Sequence, residues 1–375
     1  MARNISRRTL VKSAIAAAGT TAAAVRLGRS QTGSKAIRVA AVQMHATLGE
    51  VDANLESAER WARRALREGA RWVVLPEFFT TGIALHPTKL INAYRPLEGG
   101  PMQLLKQLAH EGGAYVAGSF LARSGADVFN TFVLASPSGE VYTHDKDFPT
   151  TDVESSVYAG GEDDEFIKEL SRHTTVASKQ PIPSRPGNIK SAVFSLPSGI
   201  SAGAALCWEQ CRYRTARRLT GRVDLVLAAS GWPFFGNDIS RTNSDAGQGA
   251  SAVNEGIREA PRRLARLVGA PVVHASLVGD AWSSAGSALP DGVLRFSGES
   301  QITDAHGRTI ARRSYAEGEG LVIAEIETAR VEPSEQIPSD AFWTPEASGA
   351  AQLWAVSGAQ GREVYLSATR PRRNG

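Results

Sequence analysis

The chain is poor in cysteine: two residues among 375, too few for a disulfide scaffold. It has seven histidines, but no C-x-x-C and no H-x-x-x-H, so the ligand spacing of a zinc site is missing. No apolar run reaches the roughly 18–20 residues that a membrane-spanning helix needs. Neither a phosphate-cradling G-x-x-x-x-G-K-[ST] nor a G-x-S-x-G serine elbow occurs. Gly247-Gln248-Gly249-Ala250-Ser251-Ala252 fits G-x-G-x-x-A, but no strand precedes it and it reads as loop. Core material, by contrast, is ample. Hydrophobic residues make up 42% and charged residues 21%, which excludes wholesale disorder. The length allows one large domain or two or three smaller ones.

A formal charge of +4 and a pI near 9.1 suggest a basic protein, but the basicity is local. Residues 1–30 carry six Lys/Arg (Arg3, Arg7, Arg8, Lys12, Arg26, Arg29) and no acid. Without them, 36 basic face 38 acidic side chains, so no nucleic-acid-binding surface is implied. Ser6-Arg7-Arg8-Thr9-Leu10-Val11-Lys12 precedes a weakly apolar, Ala-rich stretch ending in Ala22-Ala23-Ala24. This pattern is that of a twin-arginine export signal, which predicts residues 1–35 as signal and linker and a periplasmic destination without stable membrane insertion.

Beyond it, short β-branched runs alternate with amphipathic stretches. Ile37–Gln43 reads as a buried strand. Asp52 is placed to cap a helix that ends at Gly69. Trp72–Leu75 reads as a second strand, Pro101–Glu111 as a helix and Tyr115–Phe120 as a strand. Two hairpins surround Pro137-Ser138-Gly139 and Pro197-Ser198-Gly199. A helix is expected from Cys207 to Leu219 and another from Pro261 to Val268, with closing strands up to Ile326. Residues 155–190 and 236–256 read as long loops near a site. The whole predicts a mixed-sheet α/β protein with a principal domain over residues 36–330. Residues 331–375 form a C-terminal extension with little periodicity.

Three segments at strand ends carry reactive side chains, where a sheet opens into loops. Glu77 lies between apolar residues in Leu75-Pro76-Glu77-Phe78-Phe79, a setting that raises a carboxyl pKa and suits proton exchange near neutrality. Lys146, in His144-Asp145-Lys146-Asp147, can stabilise an oxyanion. Cys207, in Ala205-Leu206-Cys207-Trp208-Glu209, sits at a strand-to-helix junction that favours thiolate and offers backbone N–H groups. Nucleophile, carboxylate base and cation are together what acyl transfer from a C–N bond requires.

These residues resemble the nitrilase superfamily of carbon–nitrogen hydrolases, along roughly residues 37 to 328. Val39-Ala40-Ala41-Val42-Gln43 is similar to its first strand, and Asn54-Leu55 and Gly69-Ala70 to the ends of its first helix. Leu75–Phe79, Asn130 with Pro137–Glu140 and Lys146, and Cys207-Trp208-Glu209 resemble its three catalytic motifs. Ala229–Pro233, Gly298–Ile302, Gly307 and Glu319-Gly320 resemble later strands. The resemblance implies a four-layer αββα sandwich and a Glu77–Lys146–Cys207 triad that uses no cofactor or metal. It also implies a small-molecule amide, carbamoyl or nitrile substrate, and a homodimer or dimer-based oligomer with the C-terminal tail at the interface. Glu154 is placed as the family's further glutamate, and Trp208 and Trp232 as supporting or substrate-binding residues. Two features depart from the pattern. Asp145 stands where the family usually has Arg, with Asp147 on the other side, and the Lys146–Glu154 spacing is one residue longer than in nitrilases.

Two other functions fit parts of the pattern. One is a Cys–His acyl transferase or protease with His274 as base. The other is a catalytically silent exported binding protein on the same fold.

Overall fold

In the computed structural model, the described residues are 35–83, 87–161, 192–235, 245–280, 294–338 and 358–370. The segment expected to direct export, the 162–191 and 236–244 stretches and the end of the tail lie outside them.

Sheet formation follows from runs that are apolar on both faces. In β1 (Lys35–Gln43), Val39 and Ala41 enter one apolar cluster while Ala40 and Val42 enter another, the period-two alternation of a strand buried on both sides. A seven-stranded sheet has the order β16 (Gly320–Thr328), β1, β2 (Trp72–Val74), β4 (Tyr115–Ser124), β5 (Asp127–Ala135), β6 (Val141–Asp145), with β3 (Arg95–Pro96) beside β4. A six-stranded sheet runs β15 (Thr309–Arg313), β14 (Ser300–Thr303), β11 (Val272–Ser276), β9 (Leu225–Ser230), β8 (Ser201–Leu206), β7 (Val193–Ser195). A small third sheet joins β10 (Pro233–Phe235), β13 (Leu294–Ser297) and β12 (Val278–Asp280).

The two large sheets face each other across Val39, Val74, Phe132, Leu206, Leu227 and Val273. On the outer face of the first lie α1 (Val51–Arg67) and α3 (Gly100–Gly112), the single turn α2 (Pro87–Leu90) falling between them in sequence. Helix α1 buries Val51, Asn54, Ala58, Ala62 and Ala65, spaced three and four apart along one stripe. On the outer face of the second sheet lie α5 (Tyr213–Leu219) and α6 (Asp245–Val268), packed through Ala216, Leu219, Leu264 and Val268. A further short helix, α4 (Thr151–Ser155), follows β6. The architecture is the four-layer αββα sandwich. No helix among the described residues is long and apolar enough to cross a membrane.

Three sequence expectations need correction. Asp52 lies inside the first turn of α1, and the residue before the helix is Glu50. From Cys207 to Cys211 the chain makes a tight 3-10 turn, and the α-helix begins only at Tyr213. Residues 245–256, read as loop for their glycines, belong to the 24-residue α6, with Pro261 inside that helix and not at its start. In the C-terminal extension, residues 358–364 are helical and Tyr365–Thr369 forms a π-turn.

Candidate active site

The strand ends deliver the reactive groups. Glu77 follows β2 by three residues, Lys146 directly follows β6, and Cys207 directly follows β8. Two of the three non-glycine residues with positive φ among those described are here: Phe78 at 54° and Cys207 at 48°. Strain of that kind persists only where neighbours over-determine the backbone, and it clusters at functional sites. The loop after Glu77 is pinned by Asn54, which donates to the carbonyls of Thr47 at 2.7 Å and Thr80 at 2.9 Å.

Glu77 is fully buried. One of its oxygens accepts from Asn130 Nδ2 at 2.7 Å and Lys146 Nζ at 3.0 Å, and the other accepts from Gly231 N at 2.8 Å. A side chain at 231 would crowd Phe78, so glycine permits this approach. Burial pushes the Glu77 carboxyl up to about 7, against the pull of the Lys146 ammonium. Lys146, also fully buried, donates to both oxygens of Glu154, at 2.9 and 2.7 Å, and to Thr150 Oγ1 at 3.4 Å. Desolvation disfavours its charge, but Glu154 and Glu77 outweigh that and hold it protonated. Tyr158 donates its hydroxyl to Glu154, and Thr150 N donates to it at 2.6 Å.

Cys207 differs from the sequence expectation in one respect. Burial and the nearby Glu77 raise the Cys207 thiol well above its usual pKa, with Lys146 and the Trp208 backbone N–H pulling the other way. No α-helix starts at Cys207 to favour thiolate, so the resting group is a neutral thiol beside a carboxylate able to take its proton. Acceptor atoms of Glu77, Glu154 and Cys207 lie within 4.8 Å of one another, a spacing that would suit a metal ion. The Lys146 ammonium already bonds both carboxylates, which makes the cluster a poor cation site.

The two aspartates that flank the lysine turn away from it. Asp145 accepts from Thr131 Oγ1 at 2.5 Å. Asp147 pairs with the buried guanidinium of Arg212 and accepts from Phe148 N at 2.8 Å. Burial raises Asp147 to about 6, opposed by Arg212.

Sequence reasoning did not assign Glu209 a role. It is fully buried and accepts from His144 Nε2 at 2.9 Å, Asp147 N at 2.9 Å and Leu206 N at 2.8 Å. It therefore ties the Lys146 loop to the turn that begins at Cys207. Burial resists its charge, but His144 and nearby arginines hold it well below the usual carboxylate range. Its place two residues after Cys207 was the available signal. Trp208 is half-buried and meets buried Trp232 edge-on, ring centres 6.0 Å apart. His274 bonds Ser230 Oγ at 2.9 Å, and burial lowers it to about 3. Among the described residues no hydrogen bond joins it to Cys207, which removes the basis for a Cys–His pair.

A sequence model of the family described as carbon-nitrogen hydrolase matches residues 38–336. The chain belongs to the carbon–nitrogen hydrolase family. It is a hydrolase of the nitrilase superfamily. A cyanide hydratase from Botryotinia fuckeliana (strain T4) is 24% identical over 313 residues, covering 78% of this chain and 76% of the relative. A nitrilase from Pyrococcus abyssi (strain GE5 / Orsay) is 31% identical over 105 residues, 28% of this chain and 40% of that one. Among solved structures, a CN-hydrolase superfamily protein from Xanthomonas campestris, with an arsenic adduct in its active site, superposes with a TM-score of 0.53. It is 20% identical and covers 78% of this chain and 91% of its own. An amidase from Nesterenkonia sp. AN1, carrying acrylamide on its active-site cysteine, also gives 0.53 and 20%, covering 80% and 95%.

Proposed function

We propose that this carbon–nitrogen hydrolase cleaves a small amide, carbamoyl compound or nitrile through a thioester on Cys207. The observation that carries this is the buried Lys146 ammonium held between Glu77 and Glu154 beside the thiol. Glu77 takes the thiol proton as sulfur attacks the carbonyl or nitrile carbon. Lys146 and the Trp208 backbone N–H stabilise the negative charge that develops. For an amide, ammonia or an amine leaves with the proton from Glu77, which then activates water to cleave the thioester. For a nitrile, attack gives a thioimidate. Addition of water leads either to loss of ammonia and a thioester, or to expulsion of the thiol and release of an amide. The cyanide hydratase and nitrilase relatives support keeping both outcomes in view.

The test is to assay purified protein against small nitriles, linear amides and carbamoyl compounds, measuring ammonia and amide products separately. Ammonia from amides or carbamoyl compounds supports the amidase arm. Amide from nitriles without ammonia supports a hydratase arm. Folded protein whose Cys207 resists iodoacetamide and that turns over none of these classes would defeat the proposal in favour of a silent binding protein.

Residues 1–35 are proposed to export the folded chain through the twin-arginine route. Arg7→Lys with Arg8→Lys is expected to retain the protein in the cytoplasm. Unchanged appearance in the periplasmic fraction would show that another signal operates.

A further inference from the structure

The C-terminal segment folds back onto its own chain at a point that bears on the site. Tyr365 is fully buried; its hydroxyl accepts from Val128 N at 2.9 Å and donates to Asp127 at 3.1 Å. Arg370 grips the same carboxylate with two nitrogens, at 2.8 and 3.0 Å. Thr369 Oγ1 donates to the Ser156 carbonyl at 2.5 Å. Ser156 is the residue that closes α4, so this hydroxyl satisfies a carbonyl left without a partner inside the helix. At residue 361 the approach is closest. A Cβ there would lie 2.7 Å from Asp152 Cα and closer still to Ser155 Oγ, so only glycine lets the segment rest on α4.

Helix α4 has five residues, too few to hold a conformation alone, and it carries Glu154. Val128 offers its N–H to Tyr365 and its carbonyl to Ala159 N at 2.8 Å. The C-terminal segment, the start of β5 and residues 154–159 are thus laced together. We propose that residues 358–370 are a strap whose Gly361, Tyr365 and Thr369 are positioning residues. By fixing α4 they fix the Glu154 carboxylate, and through it the Lys146 ammonium opposite Cys207. This inference rests on the proposed catalytic role of Lys146. Displacements of about 1 Å at such a distance from the chemistry can cost as much as ~10²-fold in rate.

The experiment uses the full chain with Cys211→Ala, so that Cys207 is the one thiol present. Gly361→Ala, Tyr365→Phe and Thr369→Val are compared with Thr369→Ser, which keeps the hydroxyl. Two readouts are taken on protein shown folded by circular dichroism: kcat and KM on a substrate found by the product assay, and the rate of Cys207 alkylation by iodoacetamide. Gly361→Ala and Thr369→Val are expected to lower kcat about tenfold with KM moving less than about twofold, and to slow alkylation in parallel. Thr369→Ser should match the parent. A folded set in which only thermal stability falls, with kcat and alkylation rate at parent values, overturns the strap. Slowed alkylation in a protein that turns over no amide, carbamoyl compound or nitrile would uphold the strap and count against the proposed reaction instead.

Discussion

Cys207→Ala is expected to lower kcat by about 10⁴-fold or more while leaving the fold intact, since removal of a nucleophile costs up to ~10⁶ in a well-studied hydrolase. The side chain is buried at a backbone φ of 48°, directly after β8, with Glu77 and the Lys146 ammonium beside it. Alanine keeps the backbone and removes only sulfur, so little packing is lost. Cys211, four residues on, is also a free buried thiol, and burial raises its pKa to about 12 with no carboxylate among the causes. Among the described residues no carboxylate acts on it, and Cys211→Ala should keep kcat within about twofold, because it removes no group proposed to act in the transition state. The measurement is steady-state kinetics on both variants, with mass spectrometry after incubation with substrate. An acyl adduct on the parent that vanishes in Cys207→Ala but persists in Cys211→Ala is the expected pattern. An active Cys207→Ala would transfer the nucleophile's role elsewhere and undo the proposed mechanism.

The parts of this site that the sequence discloses are those that local pattern controls. Val39–Gln43 is apolar at every side chain but the last, and a strand between two layers must be so. Glu77, Lys146 and Cys207 each stand within three residues of a strand end, so reading the strands located the groups. Glu154 comes to the lysine because α4 turns the chain back across the eight-residue separation, absorbing the longer spacing. What stayed hidden depends on contacts across the chain. Glu209 meets His144 and Asp147 over 65 and 62 residues, and nothing local marks those partners. Tyr365 and Asp127 are 238 residues apart. In α6, Gly247, Gly249 and Pro261 are breakers by propensity, yet the helix continues through them because its later residues Leu264, Ala265 and Val268 pack on the second sheet. Tertiary burial overrode a weak local preference there. Asp145, standing where the family pattern has arginine, bonds Thr131 and leaves the ammonium to Glu77 and Glu154.

Lys146→Met is expected to damage both catalysis and stability, and the pH dependence of the second effect tests the geometry on which the first relies. Methionine keeps the unbranched stem but removes the charge facing the developing oxyanion. Loss of one such group costs ~10²–10³ in kcat. The lysine is also the cation between two buried carboxylates, at 3.0 Å from Glu77 and 2.7 Å from Glu154. Removing one partner of a buried pair typically costs about 3–5 kcal/mol, because the charge left behind stays desolvated. For Glu77 the sign follows from its shift. Its pKa in the folded protein is already raised to about 7 by burial, and the lysine is what pulls it down. Without the lysine it rises further above the unfolded value of ~4.3. A carboxyl raised on folding binds more protons in the native state, so native stability is greatest below the unfolded pKa and is lost as pH rises through the folded one. The variant should therefore melt close to the parent near pH 5 and progressively below it toward pH 8. Thermal melts of parent and variant across that range, with kcat measured wherever the variant is folded, decide the matter. A melting difference that stays flat with pH would mean that Lys146 does not neutralise Glu77. A folded variant with parent kcat would take the oxyanion role away from Lys146.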